Sequence, residues 1–185
     1  MNSQILWIAL LAAQSVICNA EYNGTVTNEY VKNFFPRNAT SMDLDSKEIE
    51  IIDAGALLEY YDLKKLDLSN NLIASLDDNT FINQVKLEEL NLSNNKLVSL
   101  NRKSFILLSK LQKLLLESNK IVRIDRYTFV GLASLKAVCL FDNPVSNLYP
   151  ASLQPLCQTN PGCLVTYKQS CSSNFDYQSE SPFSN

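Results

Sequence analysis

The sequence predicts an α/β solenoid, a coil of stacked repeat units, and two observations support this prediction. Asparagine recurs at equal intervals, and apolar residues stand eight, five and three positions before each of these asparagines. A fixed period of roughly 20 to 50 residues is the signature of a repeat array whose units pack on their neighbours. The second observation is the alternation of apolar residues five and three positions before each asparagine, which is typical of a β-strand. The four asparagines, whose spacing defines the repeat period, are Asn71, Asn95, Asn119 and Asn143.

Residues 1–20 are predicted to form a secretory signal peptide. An apolar run over residues 5–13 precedes Cys18, Asn19 and Ala20, and small residues at 18 and 20 fit cleavage after Ala20. The run is too short for a membrane span, which needs about 20 apolar residues. The alternative is a buried N-terminal strand or helix. We therefore expect a secreted, extracellular protein, with glycosylation sequons at Asn23, Asn38 and Asn91.

Residues 21–38 are predicted to cap the N-terminal end of the solenoid. The core of a solenoid is open at both ends, and both ends need a cover. Once the signal peptide is removed, no cysteine precedes Cys139, so this cap has no disulfide. The expected apolar cover consists of Tyr30, Val31, Phe34 and Phe35. The alternative is that these aromatic residues form an exposed docking patch.

Five repeats are predicted from residue 39 to residue 153. Their ranges are 39–62, 63–86, 87–110, 111–134 and 135–153. Counted from the first residue, the last four units carry apolar residues at positions 1, 4, 6, 11 and 14, and asparagine at position 9. Position 19 holds Phe81, Phe105 and Phe129. The first unit is degenerate, with Lys47 in place of the asparagine, as expected of a terminal unit.

The residue types predict structural roles for most of the repeat. The apolar positions should fill a continuous core, and the phenylalanines should stack as a spine on the convex side, with Leu57 and Leu153 at its ends. Each asparagine stands where the chain leaves its strand. Because buried backbone groups need partners there, the four side-chain amides should form a stacked structural ladder.

The pattern LxxLxLxxNxLxxLxxxxFxxL resembles that of extracellular leucine-rich repeat proteins over residues 39–153. The resemblance implies a right-handed superhelix with a concave parallel β-sheet and a convex side of loops and short helices. The chain is also similar to the short secreted leucine-rich immune proteins of mosquitoes, which lack a disulfide-bonded N-terminal cap. Those proteins often carry coiled-coil tails, which this sequence lacks.

Residues 154–171 are predicted to form a disulfide-bonded C-terminal cap, followed by a polar, disordered tail at 172–185 that offers no membrane anchor. Four cysteines remain after the signal peptide is removed, and an even set in a secreted chain predicts two disulfides. Cys163 lies one repeat period after Cys139, and residues 164–167 read as an extra strand beside the fifth repeat. This register predicts Cys139–Cys163 and leaves Cys157–Cys171, an order that resembles the family's C-terminal cap. Two other pairings remain open.

The resemblance implies that partners bind to outward-facing side chains of the concave sheet, at positions 3, 5, 7 and 8 of each repeat. The candidate partner-binding residues are Asp43, Asp45, Lys65, Asp67, Glu89, Lys113, Leu115, Glu117 and Phe141. Leu115 and Phe141 either form an apolar binding patch or pack under the C-terminal cap. The aspartates favour a solvated face over a cation site, because their spacing does not form an oxygen-rich loop. A glycan on Asn91 would displace partners from this face.

Composition argues against several classes of function. The net charge is −3 and no basic stripe occurs, so nucleic acid is not an expected partner. The sequence contains no histidine, which excludes Ser-His-Asp and Cys-His catalysis and histidine-based metal sites. We expect no cofactor, no metal and no enzymatic activity. The predicted function is protein–protein recognition of an unidentified protein, by analogy in innate immunity. The alternatives are an extracellular matrix or adhesion component and a secreted modulator of a leucine-rich repeat receptor.

Overall fold

The computed structural model of the protein describes residues 24–100, 103–124, 127–147 and 164–166. The elements in chain order are β1 (Thr25–Val26), α1 (Asn28–Phe34), β2 (Ser41–Asp43), β3 (Ile51–Ile52), β4 (Lys65–Asp67), β5 (Glu89–Asn91), β6 (Ser99–Leu100), β7 (Lys113–Leu115), β8 (Arg123–Ile124), β9 (Ala137–Cys139), a 3₁₀ helix (Pro144–Asn147) and β10 (Leu164–Thr166). The predicted signal peptide, Asn23, three of the cysteines (Cys157, Cys163 and Cys171) and the C-terminal tail lie outside the described residues.

Each turn of the coil adds one strand to a parallel sheet of six strands, in the order β10-β9-β7-β5-β4-β2. Neighbouring strands from β2 to β9 pair at an offset of one repeat period, as in Leu66 opposite Leu90 and Leu90 opposite Leu114. The middle residue of each strand is buried, and in β2, β4, β5 and β7 the flanking residues face outward. The predicted solenoid with a concave parallel sheet is thus confirmed.

In the described part of the chain, two short parallel sheets lie on the convex half of the coil, β1 with β3 and β6 with β8. The position-19 side chains of the second to fourth repeats pack into the core. Phe81 and Phe105 are buried and Phe129 is half-buried. The rings of Phe105 and Phe129 lie 6.4 Å apart with nearly parallel planes. Leu57 is buried at the same position of the first repeat, while Leu153 lies outside the described residues.

Buried asparagine side chains bind the backbone where each strand ends. The Nδ2 group of Asn95 donates to the carbonyl oxygens of Leu68, Leu92 and Ser93, at 2.9 to 3.2 Å. Its Oδ1 atom accepts the backbone N–H of Ile73 at 3.1 Å. Each amide therefore joins its own turn of the coil to the preceding one. The same pattern is made by Asn71, Asn119 and Asn143.

The residue before each ladder position has a left-handed backbone, which the sequence pattern did not reveal. Ser46, Asn70, Asn94, Ser118 and Asp142 all have φ between 53° and 55°. Small polar residues tolerate this region better than bulky ones, because their side chains can bond locally. Position 8 therefore has a backbone reason for its small polar residues, in addition to facing outward.

A substitution at Ser118 tests this explanation. We expect Ser118→Val to lower the free energy of unfolding by about 1–2 kcal/mol, because a β-branched residue is strained at positive φ. Ser118→Gly should be close to neutral, since glycine adopts this conformation without a steric penalty. Chemical denaturation of both variants measures the difference. Equal stabilities would show that backbone strain does not select the residue at this position.

The N-terminal cap is built on α1. Val31 is fully buried, and Tyr30 and Phe35 pack partly buried against the core. The hydroxyl of Tyr60, itself buried in the first repeat, donates to the carbonyl oxygen of Phe35 at 3.1 Å. Burial raises the pKa of this tyrosine above its ordinary value. The expectation that Phe34 helps to cover the core is wrong, because Phe34 is 44% exposed and lies over Tyr30 on the outer side of the helix.

At the C-terminal end, β10 pairs with β9 in a register that differs from the predicted one. The residue opposite Cys139 is Thr166, whereas an offset of one repeat period would place Cys163 there. The observed register places Val165 opposite Val138, and both side chains are buried. The predicted register would instead place Gly162 opposite Val138, and glycine has no side chain to bury. The argument that Cys139 and Cys163 are strand neighbours is therefore wrong, although the pairing itself is untested.

Cys139 is disulfide-bonded, and its partner lies outside the described residues. Cys139–Cys163 and Cys157–Cys171 therefore stay predictions. Peptide mapping of the unreduced protein should recover a fragment in which Cys139 is linked to Cys163, and a Cys157–Cys163 link would contradict it. Loss of the bond in Cys139→Ser should cost about 2–5 kcal/mol, measured by thermal unfolding.

Candidate functional site

An open groove of about 530 Å³ runs along the concave face of β2, β4, β5 and β7. Its lining includes seven of the nine predicted partner-binding residues, namely Asp43, Lys65, Asp67, Glu89, Lys113, Leu115 and Glu117. Asp45 and Phe141 are not part of the lining. The charged side chains of the lining comprise four carboxylates and two lysines, which gives the groove a net charge of −2.

Position 3 forms a row of alternating charge across the groove. Lys65 and Glu89 lie on neighbouring strands, and their Nζ and Oε2 atoms are 3.1 Å apart. Both side chains are about half exposed, and an exposed ion pair contributes only about 0–1 kcal/mol to stability. A partner can therefore compete for either charge at little energetic cost to the fold.

Position 5 forms a second row, in which polar side chains bond to each other across the repeats. The Nδ2 group of Asn91 donates to Oδ2 of Asp67 at 3.1 Å. Oδ1 of Asp67 in turn accepts the N–H of Ser69, and Oδ1 of Asn91 accepts the N–H of Ser93. The orientation of these side chains is therefore set before any partner arrives.

Asp45 is held at the N-terminal rim of the groove by neighbouring side chains. The Nδ2 group of Asn70 and the hydroxyl of Ser69 donate to its Oδ1 atom, at 2.7 and 3.0 Å. The hydrogen bond from Asn70, followed by those from Ser69 and Ser46 and by the charge of Lys47, holds the pKa of Asp45 below its ordinary value against a smaller effect of burial. Asp45 is therefore a charged, pre-positioned group beside the groove. No cluster suited to a metal ion occurs among the described residues.

The apolar end of the groove is partly covered. Leu115 and Phe141 are both half-buried, and only Leu115 reaches the groove. All three residues of β9 are buried, and β10 pairs along its far edge. The hydroxyl of Thr166 donates to Sγ of Cys139 at 3.3 Å. Leu115 is therefore accessible from the groove, while the strand beyond it is covered. A binding role for Leu115 and Phe141 stays a prediction.

Asn91 lies in the middle of the groove, and its glycosylation remains a prediction. A glycan attached to Nδ2 leaves one N–H on the amide, so the bond to Asp67 is compatible with the modification. Such a glycan would fill the groove and displace a protein partner from its centre. Asn38 is exposed near the N-terminal cap, away from the groove lining.

The hydrogen bonds across the groove were not predicted, although a sequence signal for them exists. Asp67 and Asn91 are separated by one repeat period, as are Ser69 and Ser93. Similar polar residues at one period stack directly in adjacent strands, where their Cβ atoms are about 5 Å apart and their side chains can bond. The sequence shows which residues stack, but the choice of donor and acceptor required the structure.

A family model for leucine-rich repeats matches the chain in three overlapping windows, residues 37–97, 62–121 and 85–145. Together the windows cover 37–145, which is more than half of the chain. No curated protein matches the chain significantly in sequence. Among the described residues, no helix is long and apolar enough to cross a membrane.

Several solved structures resemble the chain. A TLR13–ssRNA13 complex superposes with a TM-score of 0.68 and 30% identity, over 77% of this chain and 20% of that one. The APL1 leucine-rich repeat domain gives a TM-score of 0.58 with 29% identity, over 64% and 31% of the two chains. A Toll–Spatzle complex, described as a molecular hub in Drosophila development and innate immunity, gives 0.52 with 29% identity, over 60% and 15%.

The chain spans at most about a third of each of these relatives, so the resemblance concerns the repeats rather than the whole of any relative. The repeats carry the frame that the structure shows, with parallel concave strands and an asparagine ladder in one register. The windows of the family model extend over all four complete copies of the asparagine pattern. The chain therefore belongs to the leucine-rich repeat family.

Proposed function

We propose that this chain is a secreted leucine-rich repeat binding protein that recognises a protein partner through its concave groove. The observation that carries the proposal is the groove itself, which displays charged and polar side chains in fixed rows on a rigid sheet. A scaffold of this kind presents a surface rather than an enclosed catalytic pocket. It fits binding, and not enzymatic turnover, as the activity of the chain.

The charge of the groove indicates the chemistry of the partner. A net charge of −2, with Asp45 adding a further carboxylate at the rim, favours a surface that presents lysine or arginine. An RNA ligand such as that of the TLR13 complex fits this groove poorly, because phosphates would face carboxylates. A protein partner is the better match.

Secretion is supported by three features that agree with each other. Residues 1–20 have the pattern of a signal peptide, three sequons follow it, and Cys139 is disulfide-bonded. Disulfides persist mainly in oxidising compartments such as the extracellular space. Expression in a secretory host, with N-terminal sequencing of the product in the medium, should find Glu21 as the first residue. Retention of the protein inside the cell would contradict secretion.

A role in innate immunity is supported by the Toll–Spatzle complex, which is described in those terms, and by the resemblance to secreted immune proteins of mosquitoes. The alternatives are a matrix or adhesion component and a modulator of a leucine-rich repeat receptor. Transcript levels after microbial challenge distinguish the immune role from the matrix role. Strong induction favours immunity, whereas steady deposition in tissue favours a matrix role.

Affinity capture with the mature protein tests the groove. Wild type should be compared with Glu89→Lys and Leu115→Asp, which alter the groove, and with Phe141→Asp, which lies beyond its lining. We expect the two groove variants to lose about tenfold or more in affinity, since a central contact commonly contributes over about 1 kcal/mol. The matched control is Val98→Asp, an exposed apolar residue outside the groove lining.

Binding that survives both groove substitutions would remove the concave groove from consideration. Intact-mass analysis of the same preparations determines whether Asn91 carries a glycan. If it does, Asn91→Gln should increase the amount of captured partner, because the centre of the groove is then open. A decrease would show that the glycan belongs to the binding surface.

A further inference from the structure

We propose that the convex side of the solenoid is a self-association surface, on which a second copy of this chain docks back to back and antiparallel. This inference is independent of the groove and goes beyond recognition of a partner. It rests on a continuous stripe of exposed apolar side chains and on the distribution of charge along that stripe.

The apolar stripe follows position 20 through four consecutive repeats and includes position 23 in the first two. It consists of Leu58, Tyr61, Ile82, Val85, Ile106 and Val130. Five of these side chains are between 41% and 63% exposed, and Ile82 is half-buried. Single exposed apolar residues are ordinary on protein surfaces, whereas a contiguous apolar surface marks an interaction site.

Contacts between the repeats show that the stripe is continuous. The side-chain amide of Asn83, next to Ile82, donates to the carbonyl oxygen of Leu58 at 2.9 Å. At the other end, Gly131 follows Val130, and a Cβ atom added there would lie 3.4 Å from the carbonyl oxygen of Ile106. The segments that carry the stripe are therefore in contact between the first and second repeats and between the third and fourth.

The fold does not need apolar residues at the stripe. The core on this side is filled by position 19, through Phe81 and Phe105, and by position 22, through Leu108 and Leu132, all of which are buried. Polar residues in the stripe would leave that packing intact. The stripe nevertheless carries valine, leucine, isoleucine and tyrosine. We therefore expect these side chains to be covered by another molecule rather than by this chain's own core.

The charge beside the stripe reverses along the solenoid. Positions 15–24 of the first two repeats contain five carboxylates and one lysine, a net charge of −4. At the same positions of the third and fourth repeats, the charged side chains among the described residues are Lys103 and Lys110, a net charge of +2. Lys32 and Arg37 of the N-terminal cap pair with Glu59, which reduces the negative charge without reversing it.

This charge asymmetry selects the occupant and its orientation. In a two-fold dimer the same surface is used by both copies, and an antiparallel arrangement places the acidic end of one copy against the basic end of the other. A parallel back-to-back arrangement would oppose like charges. Ion pairs within the chain, such as Lys86 with Asp62 and Lys103 with Asp78, would form the rim of the interface.

Sedimentation velocity of the mature, enzymatically deglycosylated protein tests the proposal. We expect a concentration-dependent monomer–dimer equilibrium, and the double variant Ile106→Asp, Val130→Asp should weaken it by about tenfold or more. The matched control is Val98→Asp, Val122→Asp. These two residues are 47% and 48% exposed and lie in the segments that lead from the asparagine ladder to β6 and β8. Circular dichroism establishes that both variants are folded.

A charge-swap experiment tests the orientation. Asp77→Lys and Lys110→Glu should each weaken the dimer, and the two changes combined in one chain should weaken it further, because each change reduces the charge difference between the two ends of the stripe. In a parallel dimer the same changes would reduce repulsion between like charges and strengthen association. The proposal is overturned if the protein stays monomeric up to about 100 µM, because association that weak is below that of ordinary specific interfaces. Equal weakening by the control pair overturns the assignment to the stripe, and a dimer that the charge changes leave unchanged or strengthen overturns the antiparallel orientation.

Discussion

Replacing Asn119 with alanine should lower the free energy of unfolding by about 3–5 kcal/mol, because each buried polar group left unsatisfied costs about 1–3 kcal/mol. The substitution leaves the buried N–H of Leu97 without its acceptor and removes the donor to the carbonyl oxygens of Leu92 and Leu116. Since a domain is stable by only about 5–15 kcal/mol, this single side chain accounts for a large share of the total.

Two further variants make this prediction specific. Lys120→Ala changes the exposed neighbour and should alter stability by less than about 0.5 kcal/mol. Asn119→Asp keeps the shape and the acceptor but turns a carboxylate toward two carbonyl oxygens, and burial would raise its folded-state pKa above the unfolded value. A raised folded pKa gives stability that is present at low pH and lost as pH rises through it. The aspartate variant should therefore regain stability on acidification, and denaturant unfolding at several pH values measures this.

An aspartate variant as stable as wild type at every pH would show that the ladder acts through side-chain shape rather than through its donors. A loss in Asn119→Ala no larger than in Lys120→Ala would show that water replaces the amide at this site. In either case the asparagine period would need another explanation.

The parts of the fold that the sequence predicts are those in which every repeat has two neighbours. The fixed repeat period determines which residues pair from β2 to β9, because each of these strands packs best in register with a neighbour that has the same pattern. The groove follows directly from this register, since positions 3 and 5 must face outward when position 4 is buried. Seven of nine predicted binding residues accordingly line it.

The structure differs from the sequence predictions mainly at the two ends of the coil, where the regular stacking of repeats stops. At the C-terminal end, β10 aligns Val165 with Val138 rather than following the cysteine spacing, because burial of a side chain outweighs the period once no further repeat follows. At the N-terminal end, only one face of α1 meets the first repeat, so Phe34 stays exposed. Asp45 lies at the rim of the groove, where it accepts hydrogen bonds from Ser69 and Asn70, and that position depends on side-chain geometry that a repeat pattern does not contain.

Phe105→Ala is expected to cost about 3–5 kcal/mol, because it removes a buried aromatic side chain from the middle of the convex core. The ring stacks on Phe129 in the next repeat, so the cavity opens between two turns of the coil. Phe129→Ala should cost less, since that ring is only half-buried. The matched control is Phe105→Leu, because the same position of the first repeat is occupied by buried Leu57. We expect this control to cost about 1–2 kcal/mol, as a smaller but still apolar side chain.

The same substitution tests how the solenoid transmits stability. In a repeat protein each unit contacts only its neighbours, so the damage should be local. Hydrogen exchange of Phe105→Ala should show lost protection in β5, β6, β7 and β8, which belong to the third and fourth repeats, while α1 and β2 keep theirs. Uniform loss of protection would mean that the coil unfolds as one cooperative unit. Local loss would mean that the third and fourth repeats, which carry part of both the concave groove and the convex stripe, lose their order together when one central ring is removed.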